Sequence, residues 1–179
     1  MSATQTFNQA LANIIERIGD RRTFSKGSFL LKEGQIEQNI YFIESGALRI
    51  FRIDELEEQT VRLGYEGSFI TSLSSYLRGK PSEFYIEAIR KSTLRIVAKD
   101  RLTEFIFQNS ENVSNYCAFL ENLVVQQIER EIDLLTTSTT TRLKRVLERS
   151  PDLFQQVPLK YIASYLRMKP ETLSRIRKY

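Results

Sequence analysis

Apolar positions along the chain change period three times. Over residues 5–19, Phe7, Leu11, Ile14, Ile15 and Ile18 recur at helical spacing, so one face of a helix is expected there. From 23 to 98 the pattern shifts to short runs rich in β-branched and aromatic residues, broken by Gly and polar turns: "SFLLKEG", "NIYFIESGALRIFRI", "EQTVRLGYEGSF" and "FYIEAIRKSTLRIVAK". Many short strands at this spacing predict a β-sandwich, roll or barrel. "ESG" between "YFI" and "ALRIF" predicts a tight hairpin with Gly46 at positive φ. The polar stretch "ITSLSSYLRGKPSEF" is expected to hold a short helix.

Helical periodicity then returns. Residues 101–109 predict a short helix and 111–136 a long one. Along the long helix Cys117, Leu120, Val124, Ile128, Ile132 and Leu135 form one stripe, which Tyr116, Phe119 and Leu123 widen. A stripe this broad predicts packing on two surfaces, the β-domain and a second copy of the same helix. The polar run "TTSTTT", Thr136 to Thr141, is expected to act as a hinge before a second unit at 142–179.

The last segment, "MKPETLSRIRKY", offers only Leu173 and Ile176 to a core. Ile162, Ala163, Leu166, Met168, Leu173 and Ile176 have the spacing of a helix-turn-helix core, with small Ala163 allowing close approach and Met168 plugging the junction. Pro170 suits the first turn of the second helix, where its missing N–H costs nothing. The face left over carries Glu171, Thr172, Ser174, Arg175, Arg177 and Lys178. Positions 171, 174 and 175 share one side of a helix, and Arg and Glu are side chains that read guanine and cytosine edges.

Charge sharpens this picture. Residues 137–179 hold ten Lys/Arg against three Asp/Glu, a net +7, which leaves −3 for residues 1–136 out of an overall +4. A basic unit on a mildly acidic body points to a polyanionic partner. The sequence has no histidine, which removes the usual general base and the usual zinc and haem ligand together. Glycine-rich phosphate loops are missing. The single cysteine, Cys117, forms no intramolecular disulfide and is expected to be a small buried hydrophobe. Neither a membrane-spanning apolar run nor a signal peptide is present, and a cytoplasmic binder rather than an enzyme is expected.

On these motifs the sequence resembles the Crp/Fnr family of bacterial transcription regulators, with its Bacteroidetes members the nearest in style. "LKEGQIEQNIYFIESGALRIF" and "LGYEGSFI" resemble parts of that family's cyclic-nucleotide-binding-type roll, and "VPLKYIASYLRMKPETLSRIRK" resembles its DNA-reading motif. The resemblance implies an α+β fold: an N-terminal antiparallel β-roll with flanking helices (residues 1–110), a dimerisation helix (111–136) and a helix-turn-helix domain (137–179). It implies a homodimer on an inverted repeat of double-stranded DNA, with RNA polymerase as a further partner and no membrane. Glu171, Ser174 and Arg175 match base-reading positions; Lys160, Lys169, Thr172, Arg177 and Lys178 are assigned to the DNA backbone. Cys117, Leu120, Val124, Ile128 and Ile132 are assigned to the dimer interface.

The chain departs from the family's pattern in three places. The cyclic-phosphate Arg aligns with Ser82, and the opening pair of the cassette with Gly67 and Ser68, so cAMP is not expected to bind. Gly67, Ser68, Arg78, Lys80 and Ser82 remain the candidate lining for an unidentified effector; no metal or cofactor is expected. Arg167 stands where the family places a turn glycine, so positive φ is expected at a non-Gly residue. The chain stops at Tyr179 without a wing hairpin; Lys160, Arg142 or Lys144 are expected to supply phosphate contacts in its place. Two other readings are a regulatory module acting through protein contacts alone and, more remotely, a metal-dependent cupin-like enzyme.

Overall fold

The computed structural model describes Ile15 and residues 17–177. Most of the helix expected over 5–19 lies outside the described residues, as does Lys178.

Among the described residues eight antiparallel strands form two four-stranded sheets. One has the order β1 (Asp20–Phe24), β8 (Ser92–Ala98), β3 (Asn39–Ser45), β6 (Phe69–Ile70). The other runs β2 (Phe29–Leu31), β7 (Tyr85–Ala88), β4 (Ala47–Asp54), β5 (Glu57–Tyr65). The expected roll of short strands is therefore present. The turn between β3 and β4 has Gly46 at φ 92°. A Cβ there would sit 2.4 Å from the Lys91 carbonyl oxygen, so only glycine fits.

Strand residues alternate between separate cores. In β3, Tyr41 and Ile43 join Leu48, Ile50, Ile86 and Leu94 between the sheets, while Ile40 and Phe42 face helices with Val97. This explains the unbroken buried run Ile40–Ile43, which a strand with one solvated face would not show. In β4, Leu48 and Ile50 point inward between the sheets, and Ala47 packs outward on the C-terminal helices. β1 was not expected over residues 20–22. It is a polar edge strand, exposed at four of its five residues, so it carries no apolar alternation to read.

Among the described residues seven helices follow or interrupt the sheets: α1 (Leu73–Arg78), α2 (Lys99–Ile106), α3 (Ser110–Leu135), α4 (Thr139–Arg149), α5 (Leu153–Gln156), α6 (Leu159–Tyr165) and α7 (Pro170–Ile176). α1 is the short helix expected in the polar stretch. α3 begins with the Asn109 side chain accepting the Asn112 N–H at 2.9 Å. Its N-terminal half packs Val113, Tyr116, Phe119, Leu120 and Leu123 against the roll. The polar run is broken only at 136–138. Ser138 caps α4 by accepting the Thr141 N–H, so Thr139–Thr141 are helical rather than hinge.

Cys117 is not the buried hydrophobe expected; it is exposed in the chain. Tyr116 and Phe119 take the roll-facing side of α3, which turns Cys117 onto the outward stripe with Val124 and Ile128. Among the described residues that stripe has no partner: Val124 is 57% exposed, Ile128 49% and Leu135 81%. No helix of the described residues is long and apolar enough to cross a membrane.

Candidate nucleic-acid interface

α6 and α7, seven residues each, are joined by a four-residue turn, Leu166–Lys169. Three backbone bonds close the turn: Leu166 N–H to Ile162 O, Arg167 N–H to Ser164 O and Met168 N–H to Ala163 O. Arg167 takes φ 54°, the left-handed conformation expected for this position. Such a conformation costs a non-glycine residue roughly 1–2 kcal/mol. Part of that cost is offset because the Arg167 guanidinium bonds the Gln59 side chain of β5.

Ile162, Ala163, Leu166 and Leu173 are fully buried, and Met168 and Ile176 pack against them as the spacing predicts. Pro170 occupies the first turn of α7. With Leu173 facing inward, Glu171, Ser174 and Arg175 are exposed together, and Thr172 is half-buried. Glu171 stands in the first turn of α7 and Arg175 in its last, each the sign the helix dipole favours there.

The basic residues divide into two groups. Lys144, Lys160 and Lys169 are exposed, Lys160 with its ammonium 4.6 Å from the Tyr161 ring. Arg177 is exposed but its guanidinium lies 4.5 Å from the Phe154 ring centroid. Arg142, expected as a substitute phosphate ligand, is buried and bonds the Thr136 and Leu166 carbonyls. It ties the start of α4 to both the end of α3 and the turn, so it is unavailable to a duplex. Arg145 and Arg149 both pair with Glu129 and the fully buried Asp133 of α3.

The helix pair is fastened to the edge strand β5. The Ser164 hydroxyl accepts the Thr60 N–H at 3.1 Å and donates to the Glu58 carbonyl at 3.3 Å, capping the open edge. Arg130 of α3 donates to the Tyr165 carbonyl at 2.7 Å and stacks 3.7 Å over its ring. Arg49 of β4, nearly buried, lies between the rings of Phe51 and Tyr161 and pairs with Glu58 and Glu87. None of these contacts was signalled by periodicity, because each involves a polar side chain and most join residues far apart in sequence.

The candidate effector lining is not one pocket. Gly67 and Ser68 belong to the β5–β6 turn, where Gly67 N–H bonds the Ile43 carbonyl and the Ser68 hydroxyl accepts from Tyr65 N–H. Ser82 is buried in a different network, 2.8 Å from the Ser72 hydroxyl and bonded to the Phe84 backbone. Arg78, the last residue of α1, and Lys80, just beyond it, are exposed. Beside Ser72 the buried Glu37 takes the Gln38 and Asn39 N–H groups and the Tyr41 hydroxyl on Oε1, while Oε2 has no hydrogen-bond partner. Burial raises its pKa above the ordinary 4.5, outweighing those donors. A buried carboxyl group, not a cation, therefore lies beside the Ser72–Ser82 pair. A cavity of about 60 Å³ between β5 and α4 is far below the roughly 300–1,000 Å³ of ordinary ligand pockets. Among the described residues no group of His, Cys, Asp or Glu is placed to hold a metal ion.

Residues 21–109 match the family model described as the cyclic nucleotide-binding domain. No curated protein matches the sequence. Among solved structures, FixK2 from Bradyrhizobium japonicum is similar over 90% of this chain and 83% of its own, with 18% identity and a TM-score of 0.75. The c-di-GMP-responsive global regulator CLP of Xanthomonas campestris covers 93% of this chain and 90% of its own, at 18% identity and a TM-score of 0.65. The Thermus thermophilus catabolite activator protein covers 93% and 80%, at 21% identity and 0.57. At these identities the likeness establishes a common fold, the one expected from the resemblance.

Proposed function

We propose that this chain is a sequence-specific DNA-binding transcription regulator of Crp/Fnr type that acts as a homodimer. The observation that carries the reading is the polar face of α7. A helix seated on Leu173 presents Glu171, Ser174 and Arg175 outward, at the end of a tight helix pair. We read α6 and α7 as a helix-turn-helix, with those three side chains on base edges and Lys160, Lys169, Thr172, Arg177 and Lys178 along the phosphates. The stripe Val124, Ile128 and Ile132, exposed among the described residues and continuous with Cys117 and Leu120, supplies the dimer seam. The similar structures described as a global regulator and a catabolite activator protein agree with this reading through their fold.

The Glu37 carboxylate and the Ser72–Ser82 pair argue against cAMP as the effector, and the lining residues identify no other ligand. RNA polymerase is the further partner this role requires, in the cytoplasm. The test is selection of bound sequences from a random duplex pool by the full-length protein. The expected product is an inverted repeat with half-sites about one helical turn, roughly 34–36 Å, apart. A pool that gains no sequence bias would leave the module acting through protein contacts.

A further inference from the structure

We infer that a clasp of two acids and two arginines between α3 and α4 sets how far apart the two copies of α7 stand in the dimer. Glu129, Asp133, Arg145 and Arg149 are then the positioning residues that select the spacing between half-sites. The inference rests on the DNA-binding and dimer readings above and adds to them the residues that determine one element of operator specificity.

The clasp has a register. Glu129 and Asp133 stand four residues apart on α3, and Arg145 and Arg149 four apart on α4, so each pair lines one face of its helix. Asp133 Oδ1 accepts from Arg145 Nε at 3.0 Å, and its Oδ2 accepts from Arg149. Glu129 Oε2 accepts from Arg145 at 2.6 Å and from Arg149 at 3.2 Å. Each arginine thus bridges both acids. Sliding α4 by one turn along α3 would leave one acid and one arginine without a partner. Asp133 is fully buried, and a buried charge that loses its partner is strongly disfavoured. The two helices are therefore held in one setting rather than a range.

The clasp joins two surfaces with different work. α3 carries the stripe proposed as the dimer seam, and α4 opens the unit that ends in α7. Residues 136–138 alone connect them along the chain. So short a connection keeps the helix ends close but leaves the angle between the helices open; the clasp closes that angle. Two neighbours reinforce it. Arg142 of α4 bonds the Thr136 and Leu166 carbonyls, and Arg130 of α3 bonds the Tyr165 carbonyl at 2.7 Å. One base pair more or less between half-sites moves a half-site by about 3.4 Å and turns it by about 35° around the duplex axis. An α7 locked to the dimer seam follows neither movement, so a wrong spacer removes base contacts. With the clasp open, bending at 136–138 would let α7 follow.

The test titrates the full-length protein with duplexes that keep both selected half-sites and change the spacer by one or two base pairs either way. Wild type should lose on the order of tenfold in affinity per base pair of spacing error, the equivalent of about one base contact. Asp133→Asn keeps the shape of its side chain and removes the charge. Glu129→Gln does the same at the partly exposed end of the clasp, and decides alone if Asp133→Asn does not fold. Each should lose less than about threefold per base pair while still selecting the same half-site from a random pool. Leu143→Ala is the control: it opens the apolar core of the C-terminal unit outside the clasp, so denaturant unfolding should show lower stability while the spacing penalty stays. Clasp variants that keep the wild-type penalty overturn the proposal. So does a Leu143→Ala protein that relaxes spacing as much as they do, because the clasp would then act through stability alone. A wild type that selects half-sites but tolerates every spacing overturns it as well. If wild type selects no half-site, the DNA reading itself fails and takes this one with it.

Discussion

Arg175 and Lys169 carry the same charge at opposite ends of α7, and the proposed interface assigns them different work. Arg175 is exposed on the face shared with Glu171 and Ser174, where a planar guanidinium can bond guanine O6 and N7 together. Lys169 precedes the helix as its N-cap and offers a point charge. Arg175→Ala should cost about 1–3 kcal/mol per lost base contact and relax selection at one position per half-site. Lys169→Ala should weaken specific and scrambled duplexes alike and lower the salt slope by about one. Equal losses on both duplexes for both variants would leave α7 a polyanion-binding surface only. Glu37 sets a second test at this scale. Burial raises its folded pKa above the ordinary 4.5, so just above that pH the native state binds more protons than the unfolded chain. Stability must then fall as pH rises through the window between the two values. Glu37→Gln removes that dependence, and denaturant unfolding at a series of pH values should show wild type losing stability relative to the variant as pH rises. The opposite trend would mean that the donors on Oε1 outweigh burial. The conformation of Arg167 was legible only through the family resemblance, which places a turn glycine at that position. The burial of Glu37 was not: nothing local distinguishes it from the exposed Glu33 four residues earlier.

At the scale of elements, periodicity identified α3 almost to its ends but could not tell which side of a broad stripe faces which surface. Placing Cys117 among the buried residues failed for that reason, since Tyr116 and Phe119 claimed the roll. The C-terminal unit's net charge misled in a similar way. Of its ten cations, Arg142, Arg145 and Arg149 stitch α4 to α3 and the turn, and Arg167 is committed to Gln59. Charge counting cannot distinguish a cation that seats a helix from one that meets a phosphate. The acids that bind Arg145 and Arg149 are Glu129 and Asp133, on the preceding helix. The proposed dimer seam is what remains on α3. Val124 and Ile128 are half exposed at its centre, and burying side chains of this kind contributes about 1.5–3 kcal/mol each. Val124→Glu should therefore yield folded monomers in sedimentation at micromolar protein, with operator binding lost. Dimers that persist would put the interface elsewhere, while loss of the fold is not expected because Val124 makes no part of the roll-facing cluster.

For the whole molecule, the question is what the roll does if it does not hold a cyclic nucleotide. Its cassette helix α1 closes over a network that the chain completes itself. The Ser75 hydroxyl accepts the Glu37 N–H at 2.9 Å and donates to the Lys80 carbonyl, and Ser72 pairs with Ser82. An incoming phosphate would have to break that network and stand near a buried carboxylate without a cation to pair with, and a desolvated unpaired charge is strongly disfavoured. The roll nevertheless remains mechanically joined to α6 and α7. The outer face of one sheet shares a core with them through Ala47 and Ile89, and Ser164, Arg49 and Arg167 hold them to β4 and β5. A scaffold with these contacts can orient the helix pair with no ligand present. Calorimetry should accordingly detect no cAMP binding at sub-millimolar nucleotide, and cAMP should leave the affinity for the selected operator unchanged. A micromolar affinity would require the exposed Arg78 or Lys80 to swing in over α1. In that case Arg78→Ala or Lys80→Ala should abolish it, and the roll would be a sensor whose closed network is its empty state.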